Sequence, residues 1–361
     1  MLHPSIAGRH FHSVQVLRAV AALMVVVVHA SEVWESVPLI HVPVAQNSRS
    51  LGVFLFFVIS GFVIAARMPL ESSLSRYLLR RYLRVLPLSF AATMVAFAVA
   101  AWYRGPIFTA PVAWWGDFDP GPYYFLKSLF IWPMNNWPYL VVTWSLPFEM
   151  IFYVVFGVIA MSLGQRRAII VFAVGALFMW GYASLPQNYP YASTGLRYYT
   201  PTAYFVYFAC GALAYEWLQR QPGVALPAAL VVIGFAVVIA ETEFGVDFYN
   251  FFVLLTGAGF MGLIVLLAGL ELGGTAFTRP NALTWVGDIS FSLYLVHLLV
   301  IIPFSRCFAD AGLSPLAIEF LRLLVIAASI VAAALVFYRF ERPVNGIVKQ
   351  GVVRLRRAPL P

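Results

Sequence analysis

Ten runs of roughly 17 to 25 mostly apolar residues, each long enough to cross a hydrocarbon core, occupy most of this 361-residue chain. They fall near 14–34, 51–67, 82–103, 140–163, 168–184, 202–218, 224–241, 251–270, 283–304 and 317–340. Hydrocarbon offers no water to backbone N–H and C=O groups, so such segments must close their hydrogen bonds internally, as helices. The expected fold is therefore all-α: a polytopic membrane helix bundle of about ten spans, forming one transmembrane domain over 1–361. Composition agrees, with 62% of residues hydrophobic and 11% charged, against about 25% charged in a soluble domain. No hydrophilic domain is left to hold nucleic acid, so the net charge of +8 reads as topology together with an anionic ligand. No cleavable leader is expected, because the polar first dozen residues run into a long series of spans without a small-residue cleavage site.

Lys and Arg set the orientation. With the N-terminus cytoplasmic, seventeen of the 23 cations fall on inner segments and flanks and five on outer ones, with Arg322 inside the tenth run. The outer stretch 241–250 carries Glu241, Glu243 and Asp247 and no cation. Both termini are thus expected in the cytoplasm, with a basic inner loop at 67–84, a basic tail at 341–361 and a long outer loop at 104–139. Trp114, Trp115, Trp132 and Trp137 in that outer loop read as interfacial anchors, with sugar-stacking platforms as the alternative. Gly257, Ala258, Gly259 and Gly262 suit close helix packing. Cys210 and Cys307 form no CxxC pair, and no disulfide is expected between them.

The costly residues are the informative ones. Residues 17–35, "LRAVAALMVVVVHASEVWE", place Arg18 and His29 in a run otherwise fit for hydrocarbon. An Arg at a helix centre costs about 2.5 to 3.5 kcal/mol to insert, so such groups face protein or a wet cavity. Eleven residues of helix set His29 roughly 16 Å beyond Arg18. Counting along the spans brings Glu149, Ser60 and His297 to a depth similar to that of His29, between the middle and the outer face. Each has a bland reading: His297 as a hydrogen-bonded core residue, Ser60 with Gly61 as a close-packing pair, and Glu319 with Arg322 as a local ion pair. A carboxylate and an imidazole at one depth favour more, since the carboxylate can orient the ring and stabilise its protonated form. Glu32, three residues after His29, competes with Glu149 for that role. Below them "SRYLLRRYLRVLP" sets Arg76, Arg80, Arg81 and Arg84 at helical spacing, suited to a phosphorylated cytosolic ligand as well as to topology.

Five blocks, in order across nearly the whole chain, carry a resemblance. They are "VLRAVAALMVVVVH" with Arg18 and His29; "LGVFLFFVISGFVIAAR" with Ser60, Gly61 and Phe62; "YLLRRYLRVLP" ending in Pro87; "WSLPFEMIFY" with Trp144, Ser145 and Glu149; and "VGDISFSLYLVH" with "FERP", holding Tyr294, His297, Glu341 and Pro343. The chain resembles the integral membrane acyltransferase 3 family, whose members O-acylate cell-surface polysaccharides and related glycans. Phe54 departs from it, at a position where many members have an acid. The resemblance implies a bacterial inner-membrane enzyme that moves an acyl group, chiefly acetyl, from cytosolic acyl-CoA to a hydroxyl of a glycan or glycolipid, without a metal. His29 would be general base or transient acyl carrier, oriented by Glu149. Arg18, Arg80, Arg81, Arg84 and Ser60 would bind the donor, and Trp144, Tyr294 and His297 the acceptor. No hydrolase-like domain follows the tenth run, so transfer is expected within the one bundle. The rival readings are a secondary transporter or flippase for a glycan or lipid-linked substrate, which usually shows repeats and broken helices, and a non-catalytic membrane subunit that docks partners, which would not need His29 and Glu149 at one depth.

Overall fold

A computed structural model of the chain describes residues 6–32, 50–102, 122–132, 138–184, 201–246, 250–308 and 312–357. Among them there is no strand, and nine helices are long and apolar enough to span a membrane. The protein is an all-α, integral, multi-pass membrane protein. Its helices are α1 (His12–Glu32), α2 (Leu51–Arg67), α3 (Leu74–Trp102), α4 (Pro122–Leu129), α5 (Leu146–Leu163), α6 (Gln165–Ala183), α7 (Pro201–Leu218), α8 (Ala225–Phe244), α9 (Asn250–Leu272), α10 (Ala282–Asp288), α11 (Ser290–Cys307), α12 (Pro315–Val336) and α13 (Arg342–Arg357). A 3₁₀ turn at Val141–Ser145 leads into α5, and a π-helical segment at Phe337–Glu341 joins α12 to α13.

Four boundaries differ from the sequence reading. Run 202–218 is a helix, α7, but it is not apolar enough to stand among the nine spans. Tyr204, Tyr207 and Tyr215 interrupt its hydropathy, and all three are buried in protein rather than offered to lipid. Run 283–304 is broken at Ile289 into α10 and α11. In the basic segment 67–84, Arg67 still ends α2, Met68–Leu70 is a 3₁₀ turn and only 71–73 are loop; from Leu74 the chain is already α3, which continues through Pro87. Within the outer loop 104–139, residues 122–129 form α4; residues 104–121, with Trp114 and Trp115, and 133–137, with Trp137, lie outside the described residues. Trp132 is exposed, as an interfacial anchor requires.

The helices group into two compact units, each assembled from three separate chain segments. The first comprises Met1–Ala21, Pro43–Tyr77 and Ile151–Asp288. Here α2 and α7 meet backbone to backbone: a Cβ at Gly61 would run into the Phe208 carbonyl, and one at Gly211 into the Val58 carbonyl. Small residues are what membrane helices need for such approach. Around the crossing lies an aromatic core, with Phe152 stacked on Phe208 at 4.2 Å between ring centroids. Phe54 stacks on Tyr207 at 4.6 Å, so its position is filled by buried aromatic packing. Gly259 of α9 sits against Gly234 of α8, and Gly262 against Pro227, which fulfils the packing role expected of that small-residue run.

The N-terminus of α1 is closed by a distant carboxylate in the same unit. Glu271, at the end of α9, accepts the backbone N–H of His12 at 2.9 Å and of Ser13 at 2.8 Å. These are two of the four N–H groups a helix start leaves without intrahelical partners, and a negative charge suits that end of the helix.

The second unit comprises Ala22–Val42, Leu78–Met150 and Ile289–Pro361. Its α11 packs on α12. Ser314 caps α12 by accepting the Ala317 N–H, with Pro315 at the first helical position. Arg322 pairs with Glu319 one turn away, the local neutralisation expected from their spacing. Cys210 and Cys307 are both free thiols.

Candidate active site

α1 carries His29 near its C-terminal end, and α11 carries His297 at its centre, fully buried. The two rings meet within the second unit: His29 Nδ1 lies 3.1 Å from His297 Nε2, with centroids 5.1 Å apart. Their protonation follows from the partners. His297 Nδ1 is 2.9 Å from the Leu293 carbonyl, one turn back on α11, and a carbonyl can only accept. That nitrogen therefore carries the proton, and in a neutral ring Nε2 is the acceptor. His29 must then donate from Nδ1, where the Val25 carbonyl is also in hydrogen-bonding reach. The lone pair of His29 is left on Nε2. This is the arrangement a general base requires: one nitrogen fixed as donor, the other holding the basic lone pair.

A second network lies one helical turn away. Tyr294 donates its hydroxyl proton to the Val142 carbonyl at 2.5 Å, so the Ser145 hydroxyl, 2.9 Å away, donates to Tyr294. Tyr294 thus ties α11 to the 3₁₀ turn preceding α5. Ser145 and Glu149 stand four residues apart and share a face of the chain entering α5. The Glu149 carboxylate is close enough to Tyr294 to interact with it electrostatically, and it is half-buried. Trp144, also half-buried, lies edge-on to Phe148 at 6.3 Å. The structure therefore pairs His29 with His297 and, one turn along α11, groups Tyr294 with Ser145 and Glu149 in the second unit. The hydroxyl of Tyr294, assigned to the acceptor on sequence grounds, is engaged by two protein partners.

The arginines do not share one environment. On α3, Arg80 is exposed and Arg84 half-buried, four residues apart on one face, whereas Arg81 is only 7% exposed. Arg81 continues a buried line through Val85 and Leu88. Arg18 and Ser60 belong to the first unit. Arg18 donates to Gln15 at 3.4 Å, and Gln15 in turn donates to Asp288 at 2.9 Å, while Ser60 is half-buried beside the glycine that admits α7.

Sequence reasoning missed two elements. Glu271 is an acid at a span end otherwise flanked by cations, and that reversal of charge was its only signal. Glu341, noted in the "FERP" block without a partner residue, is buried and accepts the Ser292 hydroxyl at 2.5 Å, a tie between the ninth-span block and the π-helical segment that the sequence did not signal. A π-helical turn inside a long helix is an irregularity often found at functional positions. Among the described residues, no group of three or more His, Cys, Asp or Glu side chains is placed to hold a metal ion.

A family model described as an acyltransferase domain matches residues 11–339. The chain belongs to the acyltransferase 3 family. Among known proteins, it is similar to the exopolysaccharide production protein ExoZ of Rhizobium meliloti (strain 1021), with 29% identity over 309 residues, 81% of this chain and 88% of ExoZ. It is also similar to the "Putative peptidoglycan O-acetyltransferase YrhL" of Bacillus subtilis (strain 168), with 25% identity over 344 residues, 84% of this chain and 50% of YrhL. No solved structure matches it significantly. Family membership decides between the enzyme and transporter readings: the paired histidines belong to a membrane acyltransferase.

Proposed function

We propose that this acyltransferase moves an acetyl group from cytosolic acetyl-CoA to a hydroxyl of a cell-surface glycan or glycolipid, with His29 Nε2 as the base. The observation that carries the reading is the hydrogen-bonded pair His29–His297, which leaves the basic lone pair of His29 on Nε2. The acceptor oxygen attacks the thioester carbonyl, forming a C–O bond while its proton passes to His29 Nε2. The C–S bond breaks, and the same proton leaves His29 for the departing sulfur, so the products are the ester and free CoA thiol. During the step His29 is an imidazolium whose Nδ1–H bond to His297 strengthens, because hydrogen bonds from charged donors are the stronger ones. Glu149, which interacts with Tyr294 one turn from His297, is assigned the negative charge that would favour the cationic ring.

The donor assignment is supported by the cation bias, which favours a cytoplasmic N-terminal end for α3, and by Arg80 and Arg84 sharing an accessible side of that helix. Guanidinium groups pair with phosphate oxygens through charge-assisted bonds. A glycan acceptor agrees with the exopolysaccharide and peptidoglycan named for the two relatives.

Purified protein supplied with acetyl-CoA and a glycan fraction from the host envelope tests the proposal, read as acceptor-dependent release of free thiol. His29→Ala is expected to abolish release while leaving monodispersity and thermal midpoint near wild type. A variant retaining more than about a tenth of the rate would sink the general-base role, since that help typically contributes 10²-fold or more.

A further inference from the structure

The final helices exceed what a span needs. α12, the π segment and α13 follow one another without a break over residues 315–357, about 64 Å of helix at 1.5 Å per residue. That is roughly twice a hydrocarbon core, so α13 lies beyond it. The α13 sequence is built differently from the spans. Val344, Ile347, Val348, Val352 and Leu355 recur at the i, i+3, i+4, i+8, i+11 spacing of a single helix stripe. Arg342, Lys349, Arg356 and Arg357 fall on the opposite arc, with Val353 the one apolar side chain among them, Arg354 falls at its border, and no acid occurs from 342 to 357. Ile347, at one edge of the stripe, is 70% exposed.

We propose that α13 lies in the plane of the membrane interface, with its apolar stripe at the acyl-chain boundary and its cations against anionic lipid headgroups. An amphipathic helix with a basic polar face, attached to a protein already in the bilayer, meets the conditions for interfacial binding, and anionic lipid complements its charge. The π segment, with Pro343 two residues beyond its end, interrupts the regular hydrogen-bond ladder and supplies the place for the helix to turn. The attachment reaches the active-site helix. Glu341, the last residue of the π segment, holds Ser292 of α11, the helix that also carries Tyr294 and His297.

The test uses full-length protein in lipid nanodiscs, in a Cys210→Ala, Cys307→Ser background. An environment-sensitive fluorophore is placed at Ile347→Cys on the stripe or Gly346→Cys on the opposite arc, where an added Cβ meets open space. With phosphatidylglycerol added to phosphatidylcholine, the label at 347 is expected to be quenched by lipid-borne nitroxide and protected several-fold from aqueous iodide, while the label at 346 stays open to iodide. Protection at 347 should fall in pure phosphatidylcholine, at high salt, and in the triple reversal Arg354→Glu, Arg356→Glu, Arg357→Glu, with monodisperse elution retained. A 347 label equally open to iodide in both lipids would mean a helix projecting into solvent. One equally shielded in both lipids and at all salt concentrations would mean docking on protein. Either result overturns the proposal.

Discussion

Replacing His297 by leucine removes the acceptor for His29 Nδ1–H while filling most of the same space, at a side chain with no solvent exposure. The Leu293 carbonyl loses only its side-chain partner, because a mid-helix carbonyl keeps its place in the backbone ladder. The cost should therefore appear in the reaction, where His29 carries a charge. A hydrogen bond from a charged group is worth about 1.5 to 3 kcal/mol. At 1.36 kcal/mol per factor of ten, kcat should fall about 10- to 150-fold. The Val25 carbonyl, also in reach of the His29 ring, offsets part of the loss and places the expectation toward the lower end. Thiol release measured across acetyl-CoA and acceptor concentrations separates the roles: a positioning residue lowers kcat with both KM values nearly unchanged. His297→Gln restores an acceptor oxygen and should recover most of the rate. A leucine variant with wild-type kcat and a raised acceptor KM would show that His297 contacts substrate, and would refute the positioning argument. A glutamine variant no better than leucine would refute the hydrogen-bond account even if both fold poorly.

Three further outcomes follow from the geometry. Arg80→Glu or Arg84→Glu should raise the KM for acetyl-CoA far more than that for the acceptor, with the effect shrinking at high salt; Arg81→Ala, removing a buried cation, should instead lower the thermal midpoint, and unchanged donor affinity by calorimetry in both reversals would sink the phosphate assignment. Glu149→Gln should lower kcat by about 10²-fold with little change in substrate affinity, while Glu32→Gln, at the last described turn of α1, should be nearly silent; the reverse ranking would give His29 a local carboxylate. Glu271→Gln keeps one acceptor oxygen for the start of α1 but loses its charge, and should destabilise the first unit by about 1.5 to 3 kcal/mol, measured as a drop in thermal midpoint; an unchanged midpoint would show that water or another group replaces the cap.

The spans were legible because hydrocarbon imposes a local rule: length and apolarity suffice, whatever the helix neighbours do. The rule failed where its premise failed. α7 carries tyrosines and Glu216 because its surroundings are protein, and hydropathy cannot distinguish a helix buried in protein from one too polar to span. The start of α3 was read as a loop because its arginines are hydrophilic, although their helical spacing was visible. Similarly, the three arginines looked equivalent in "RRYLR", and only packing separates buried Arg81 from Arg80 and Arg84.

The sequence by itself determined an all-α membrane protein, the family, and His29 as the residue whose cost most needed a reason. It also set the helical i, i+4 relations that place Glu149 with Ser145. The tertiary structure alone decided which residue His29 meets. His297 lies 268 positions away and Glu271 lies 258 positions from the Ser13 it caps. In a membrane span nearly every face is apolar, so the pattern of hydrophobicity does not fix how far each helix is rotated about its axis. That rotation comes from small-residue contacts such as Gly61 with Phe208, and from hydrogen bonds such as Tyr294 with Val142, which exist only once the helices have packed.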